Sequence, residues 1–258
     1  MSIPCGITSV QKRAVEETVL QKGSSRAITI EEPLAAALGA GLPVDEPMGN
    51  MILNIGGGTA QVAILSLGGI VSSRTTRRGG LSIDRDIIEY VKKTYNLEIG
   101  ERTAEAIKIN LGSVEKPDPS IQMDIRGRDL IEGLPKTVTI MATEIYTLLD
   151  SFIVTMVDTI RSTLEDCPPE LAGDVIEQGI ILCGGGALLS GLATRLQKET
   201  GIPIHLADQP QECTALGAGK MLEFDVRTPR SARSQSSWKP ASNANYKEQE
   251  NNNQQAAE

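Results

Sequence analysis

The stretch NIGGGTAQVAIL, residues 54–65, is the most informative part of the sequence. Apolar residues stand on both sides of a run of glycines, which predicts two short antiparallel strands joined by a tight turn. Glycines in such a turn let backbone N–H groups approach an anion without interference from a Cβ atom, and Thr59 adds a hydroxyl. An ordinary hairpin turn also favours glycine, so the stretch alone leaves a phosphate site and a plain turn equally open.

The elements on either side of this stretch predict an α/β fold. Apolar periodicity and capping residues place them, in chain order, as a helix at 8–21, a strand at 27–30, a helix at 33–41, strands at 51–55, 61–66 and 69–75, helices at 81–95 and 101–110, weak strands at 121–127 and 136–140, a helix at 143–167, a strand at 179–182, a helix at 188–199, a strand at 203–206 and a helix at 214–224. This order favours a sheet with an antiparallel edge and a parallel body, covered by helices on both faces.

Two further segments carry residues suited to ligand chemistry. The turn CGGGALLSG, residues 183–191, lies where a buried strand meets a helix, a place where α/β folds bind ligands; tight strand–helix packing is the alternative. In IEEPLAAALGAG, residues 30–41, paired carboxylates precede a helix. They could favour the helix dipole, or one of them could act as a general base that orients water.

Composition excludes several classes of function. The 258 residues carry a net charge of −8, and only 3% are aromatic, so neither a basic face nor stacking platforms for nucleic acid are expected. A single histidine, His205, cannot supply a multi-histidine metal site. Four scattered cysteines without CxxC spacing indicate a reducing cytoplasm, and no apolar run approaches the roughly 20 residues that span a bilayer.

Taken together, these segments resemble the actin superfamily of ATPases, and most closely the MreB/Mbl family of bacterial actins. The similarity covers roughly residues 2–223 and includes phrases typical of that family: IPCGITSVQKRAV, IEEPLAAALGAGLPV, NIGGGTAQVAILSLGGIV, YNLEIGERTAEAIKI, RGRDLIEGLPKTV, PPELAGDVIEQGIILCGGGALLSGL and ALGAGKMLE. The resemblance implies an actin-like ATPase fold, with a ribonuclease H-like mixed sheet and flanking helices.

The resemblance also implies a division of the chain. Residues 1–46 correspond to a remnant of the first actin-like domain with its interdomain helix. Residues 47–224 correspond to a complete second domain, in which 96–140 form a small inserted subdomain, and residues 225–258 are expected to be a disordered tail because their composition is poor in apolar residues.

Site residues follow from matching positions in the family. The resemblance implies catalytic roles for Glu32, which would orient the attacking water, and for Thr59, which would assist it. Phosphate contacts are implied for Gly56, Gly57, Gly58 and Thr59. Adenosine contacts are implied for Gly184, Gly185, Gly186, Ala187 and Leu188. Ribose-side and adenine-side contacts are implied for Glu105, Ala106, Ile107 and Lys108. The implied cofactors are ATP and Mg²⁺.

Two departures from the family pattern bear on activity. Asn54 stands where the family has an aspartate, and a neutral amide is a poor substitute for a negative charge facing Mg²⁺, so the metal site is expected to be weakened. The sequence also begins beyond the position of the family's first phosphate loop, which indicates either a truncated reading frame or a short, specialised paralogue. Whether this chain hydrolyses ATP is left open by the sequence.

The function implied is that of a cytoskeletal protein. Members of the family form ATP-dependent homopolymeric filaments that associate with the inner membrane and organise cell-wall synthesis, so the expected partners are further copies of the chain and the elongation machinery. Direct membrane insertion and nucleic-acid binding are not expected. The alternatives are a non-catalytic module that caps or joins longer filaments, and a chaperone- or sugar-kinase-type ATPase.

A final expectation concerns the first 40 residues. Ile3, Ile28 and Ile30 are expected on strands whose family partners lie in the absent segment. They are therefore predicted to present unpaired edges and exposed apolar side chains.

Overall fold

The computed structural model describes residues 1–227, with side chains as far as residue 222. The strands are β1 (Ser2–Ile3), β2 (Ile30–Glu31), β3 (Asn50–Ile55), β4 (Ala60–Ser66), β5 (Gly69–Thr76), β6 (Leu97–Glu98), β7 (Gln122–Asp129), β8 (Pro135–Met141), β9 (Ile180–Cys183) and β10 (Ile204–Leu206). The helices are α1 (Ser9–Gln21), α2 (Glu32–Gly39), α3 (Gly80–Tyr95), α4 (Glu101–Leu111), α5 (Ala142–Glu165), α6 (Pro169–Gln178), α7 (Leu192–Thr200) and α8 (Cys213–Arg227), with a short 3-10 helix at Gly185–Leu188.

The central sheet is mixed, as the sequence predicts. Its strand order is β10-β9-β3-β4-β5, in which the first three strands are parallel and the last three are antiparallel. Every residue of β3 and β4 is buried, because helices cover both faces of these strands. Asn54 pairs with Gln61 on one side and with Cys183 on the other, so these three side chains form one row across the sheet.

Alternate residues of the central strands enter two separate cores. Met51, Leu53 and Ile55 belong to the larger core, together with the apolar sides of α3, α4 and α5. Ile52 faces the smaller core, which α2 and α8 supply. This alternation follows from the two-residue period of a strand.

Helices α2 and α8 cross at glycines. A Cβ atom placed on Gly217 would lie 1.7 Å from the carbonyl oxygen of Ala35, and one on Gly39 would lie 1.8 Å from that of Cys213. Only glycine permits backbones to approach so closely. The contact buries Leu34 and the alanines that follow it in α2.

The expected exposure of the first strands is wrong for two of the three isoleucines. Ile3 and Ile30 are 5% and 6% exposed, because β1 pairs in parallel with β2 and α2 continues directly from β2 into the smaller core. Ile28 is half-buried. The domain boundary after residue 46 stays a prediction. In the structure, α2 packs on the sheet in the smaller core.

Helix α1 begins where its capping residues predict. Thr8 and Gln11 form the expected capping box at the start of α1. Helix α6 has no counterpart in the prediction, which places no element between the helix that ends at residue 167 and the strand that begins at residue 179. Proline is favoured in the first turn of a new helix, and Pro169 occupies that position in α6.

Two further differences from the prediction concern the start of α7 and the inserted segment. The helix expected from residue 188 begins at Leu192, after the 3-10 turn. The inserted segment contains an additional short strand, β6, which joins β7 and β8 in an antiparallel sheet. The predicted tail, residues 225–258, lies outside the described residues except for the last residues of α8. No helix within residues 1–227 is long and apolar enough to cross a membrane.

Candidate functional site

A cavity of about 440 Å³ lies between the two glycine-rich turns. Its volume is in the range of small-molecule binding pockets. The predicted site residues that line it are Gly56, Gly57, Glu105, Lys108, Gly185, Gly186 and Leu188. Residues that the sequence analysis did not identify complete the lining: Gly80, Ile83, Ile109, Gly112, Leu189, Ser190 and Gln211. The structure therefore brings together the two turns that the sequence singled out separately.

The first wall is the turn between β3 and β4. Its carbonyl oxygens are bound by the start of α3, since the N–H groups of Gly80 and Leu81 donate to Gly56 and Gly57 at 3.0 and 2.8 Å. Gly79 must be glycine here, because an added Cβ would lie 2.5 Å from the carbonyl oxygen of Gly57. The amides of Gly57 and Gly58 have no hydrogen-bond partner within the described residues. Exposed, unpartnered N–H groups in a glycine turn suit an anion.

The opposite wall is the turn after β9. Gly184 has a φ of +86°, and Cβ atoms on Gly184 or Gly186 would collide with Ile55 at the end of β3. The glycines thus hold this turn against the end of the sheet. The turn presents the exposed side chain of Leu188 to the cavity, and Ile109 of α4 is exposed at the same cavity. Apolar side chains of this kind suit the faces of a flat heterocycle.

Helix α4 forms the side of the cavity. Glu105 is exposed and lines the cavity, where its carboxylate can accept hydrogen bonds from hydroxyl groups. Lys108 is more enclosed: its ammonium donates to the carbonyl oxygen of Gly80 at 3.2 Å and to Asp84 at 2.9 Å. Asp84 was not identified from the sequence. It belongs to the buried side of α3 together with Ile83 and Ile87.

Several predicted residues lie away from the cavity lining. Ala106 is half-buried on α4, and Ile107 is buried in the larger core. Gly58 is exposed at the tip of its turn, and Gly184 and the buried Ala187 support the other turn from behind. The binding roles of these residues stay predictions.

The two predicted catalytic residues lie near the row that Asn54, Gln61 and Cys183 form across the sheet. Glu32, at the start of α2, accepts a hydrogen bond from the side-chain amide of Gln61. The amide oxygen of Gln61 accepts from the backbone N–H of Cys5 at 3.0 Å, which fixes the orientation of the amide. Gln61 is buried, whereas Glu32 and Thr59 are half-buried. One carboxylate oxygen of Glu32 accepts the hydrogen bond from Gln61, and the other oxygen takes no part in it.

Cys5 lies beside this row and Cys183 belongs to it, and both thiols are neutral near pH 7. Burial, and then Glu31, raises the pKa of the Cys5 thiol to about 12. Burial, followed by the neighbouring Cys213 and Glu32, raises the pKa of the Cys183 thiol. Because the thiolate is the form that attacks substrates and binds metals, neither side chain is an activated nucleophile near neutral pH.

The side chains present do not fit a magnesium site. Asn54 is 3% exposed, and its amide oxygen accepts from the Cys183 thiol at 3.5 Å. No group of three or more histidine, cysteine, aspartate or glutamate residues that could hold a metal ion occurs in the part of the chain described. Mg²⁺ prefers several carboxylate, phosphate or water oxygens. By contrast, two glycine turns, apolar side chains and Glu105 do fit an adenine nucleotide.

Comparison with known proteins gives consistent matches to one family. A family model described as MreB/Mbl protein matches residues 1–229. The cell shape-determining protein MreB of Escherichia coli K12 is 46% identical over 222 residues, which cover 86% of this chain and 64% of the relative. The cell shape-determining protein Mbl of Bacillus cereus is 43% identical over 229 residues, covering 89% of this chain and 69% of the relative.

A solved structure gives the same result for the fold. The crystal structure of MreB5 of Spiroplasma citri bound to ADP matches 88% of this chain and 70% of its own chain, with a TM-score of 0.83 and 35% identity. The predicted actin-like α/β fold is confirmed by this likeness. The chain spans less than two thirds of the length of the Escherichia coli relative.

Proposed function

The chain belongs to the MreB/Mbl family of cell shape-determining proteins, and from that premise we propose that it binds an adenine nucleotide in the cavity between its two glycine turns. The main support for this proposal is that both glycine turns line the same cavity. The neighbouring structure, MreB5 of Spiroplasma citri, is bound to ADP, which supports the same ligand class here. ATP and its hydrolysis product are accordingly the proposed ligands.

Each part of the cavity matches a part of the ligand. Leu188 and Ile109 would contact the faces of the base, and Glu105 would accept hydrogen bonds from the ribose hydroxyls. The free amides of Gly57 and Gly58 would donate to the phosphate chain.

Hydrolysis, where it occurs, is proposed to depend on the row beside the cavity. Glu32 would orient a water molecule and accept its proton through the oxygen that Gln61 does not engage. The hydroxyl of Thr59 would assist at the phosphate end of the turn. Mg²⁺ would neutralise charge on the phosphates when bound, but the described residues do not form a site for it.

At the level of the cell, we propose that the chain acts in the cytoplasm as a filament subunit. Its partners would be other copies of itself and the wall-synthesis machinery at the inner membrane. One surface supports self-association: the hairpin between β7 and β8 exposes Leu130, Ile131 and Leu134 by 41%, 78% and 60%. Apolar side chains clustered at an exposed tip favour coverage by another protein.

Calorimetric titration with ADP tests the nucleotide proposal. Glu105→Ala is expected to weaken binding at least about fivefold, since it removes hydrogen bonds to the ribose from a charged acceptor. Glu101→Ala is the matched control, because Glu101 is an exposed glutamate on the same helix that does not line the cavity. Absence of binding at millimolar ADP, or equal losses in both variants, would contradict the proposal.

Sedimentation distinguishes filament formation from the alternative of a capping module. A filament subunit is expected to pellet on its own when ATP is added, and to release phosphate. A capping module would stay in the supernatant alone and would reduce the pelleting of a longer MreB when mixed with it.

A further inference from the structure

A lysine and an aspartate form an ion pair in the wall of the cavity. The ammonium of Lys108 lies 2.9 Å from each carboxylate oxygen of Asp84, and it donates to the backbone carbonyl of Gly80 at 3.2 Å. The side chain of Lys108 is 18% exposed and that of Asp84 only 5%. Lys108 lines the cavity, whereas Asp84 lies behind it. The cation thus faces the ligand space, with its counter-charge enclosed in the protein.

The pair cannot be separated without a large electrostatic penalty. Oδ1 of Asp84 is buried and makes no hydrogen bond within the described residues, although the ammonium is near it, so the ion pair is its main compensation. A buried carboxylate that loses its partner is strongly unfavourable. Lys108 is therefore not free to leave Asp84 for a phosphate group.

The ion pair neutralises the cation on this side of the cavity. Lys108 is the only cationic side chain among the described residues that line it. The neighbouring lining side chains Ile83, Leu188 and Leu189 are apolar. The free amides that suit an anion lie instead in the turn at Gly57 and Gly58.

We propose that Asp84 is a positioning residue that sets the specificity of the cavity. By holding and neutralising Lys108, it makes this wall receptive to the uncharged base and ribose of a nucleotide and leaves the phosphates to the turn at Gly57. The inference rests on the proposed nucleotide-binding function. It assigns Lys108 a role different from that of a phosphate ligand, and it gives a function to an aspartate outside both glycine turns.

The test compares ADP with adenosine. Both ligands are titrated by calorimetry at one ionic strength into the wild type and Asp84→Asn, which keeps the side-chain shape but removes the charge. With Lys108 released, the ratio of ADP affinity to adenosine affinity is expected to rise about fivefold or more, the scale of one hydrogen bond between an ammonium and a phosphate. The rise should shrink as salt is added.

Two controls isolate the effect. Glu89→Gln removes one negative charge from the same helix, at an exposed residue paired with Lys93, and is expected to leave the ratio unchanged. The double variant Asp84→Asn with Lys108→Met leaves no buried charge unpaired. Because the Lys108–Asp84 pair already has no net charge in the wild type, the double variant is expected to retain the wild-type ratio, and this test stands even if the single variant does not fold.

The outcomes separate this inference from the function on which it rests. A ratio within twofold of the wild type in a folded Asp84→Asn would show that the pair only joins α3 to α4, and would overturn the proposal. A fivefold fall of the ratio in the double variant would show that Lys108 already serves the phosphates, and would overturn it too. If the wild type binds neither ligand, the proposed function fails and this inference fails with it.

Discussion

Substituting Gly217 with alanine tests whether α2 is an integral part of the fold. In the structure, an added Cβ at this position would lie 1.7 Å from the carbonyl oxygen of Ala35, about half of an ordinary contact distance. The atom it meets is backbone, so no side-chain rotation can relieve the overlap. The two helices would have to separate and would loosen the packing of Leu34 and its neighbours in the smaller core.

The magnitude follows from two opposing terms. Replacing glycine by alanine within a helix stabilises it by about 1 kcal/mol. Overpacking a close contact costs typically about 1–3 kcal/mol, and more where backbone must move. With an overlap this large we expect a net loss of about 2 kcal/mol in the free energy of unfolding, which corresponds to a fall of roughly 4–8 °C in Tm for a domain of this size.

Thermal and urea unfolding followed by circular dichroism measures this loss. Gly219→Ala is the matched control: it lies on the same helix, and a Cβ there would have no neighbouring atom within 4 Å. The control is expected to unfold at or slightly above the wild-type temperature. If Gly217→Ala is as stable as Gly219→Ala, α2 does not pack on α8 as described, and residues 1–46 would be a separate unit.

Three other predictions concern the site, the inserted sheet and the exposed hairpin. If the chain hydrolyses ATP, Glu32→Gln is expected to lower the rate about 10²–10⁴-fold with ADP affinity unchanged, and Gln61→Leu to lower it by a smaller factor; a phosphate-release assay with parallel calorimetry measures both. The Lys136 ammonium and backbone N–H groups lower the pKa of Asp129 to about 2, below the unfolded value of about 3.9. The stability that ionised Asp129 contributes is therefore present above pH 4 and is lost as the pH falls through about 2. The Tm difference between the wild type and Asp129→Asn should therefore shrink between pH 5 and pH 2, and a constant difference would contradict this account. Ile131→Asp, at a side chain that is 78% exposed, should reduce pelleting with ATP while Tm changes by less than about 2 °C, whereas unchanged pelleting would exclude the hairpin from the assembly surface.

Local signals made the sheet and the glycine turns predictable. The residues around 54–65 combine two short apolar runs with a glycine turn, and both features act over distances of a few residues. The capping box of Thr8 and Gln11 is equally local. That the turns after β3 and β9 share one cavity follows from the parallel pairing of these strands, which the α/β order of elements favours but does not specify.

The remaining features depend on contacts between distant parts of the chain. Asp84 and Lys108 are 24 residues apart and belong to different helices, so their pairing depends on how α3 and α4 pack. A signal for Asp84 was nevertheless present: it stands three residues before Ile87, on the apolar side of a helix, where a carboxylate needs a partner. The apolar sequence of α2 is itself typical of a buried helix, but its partner carried no local signal, since α8 begins only at Cys213.

The packing of α2 on α8 also determines where the proposed catalytic carboxylate lies. Glu32 is the first residue of α2, and its side chain accepts a hydrogen bond from Gln61. Gln61 belongs to the row of side chains that crosses the sheet next to the two glycine turns. The distance between Glu32 and the phosphate end of the cavity is therefore set by the helix crossing at Gly217, on the opposite face of the sheet from α3. A change that separates the two helices would shift Glu32 without altering the cavity wall formed by α3 and α4. Consequently, the proposed nucleotide binding and the proposed hydrolysis would depend on different cores of the same sheet. If the chain hydrolyses ATP, Gly217→Ala should impair hydrolysis more than ADP affinity.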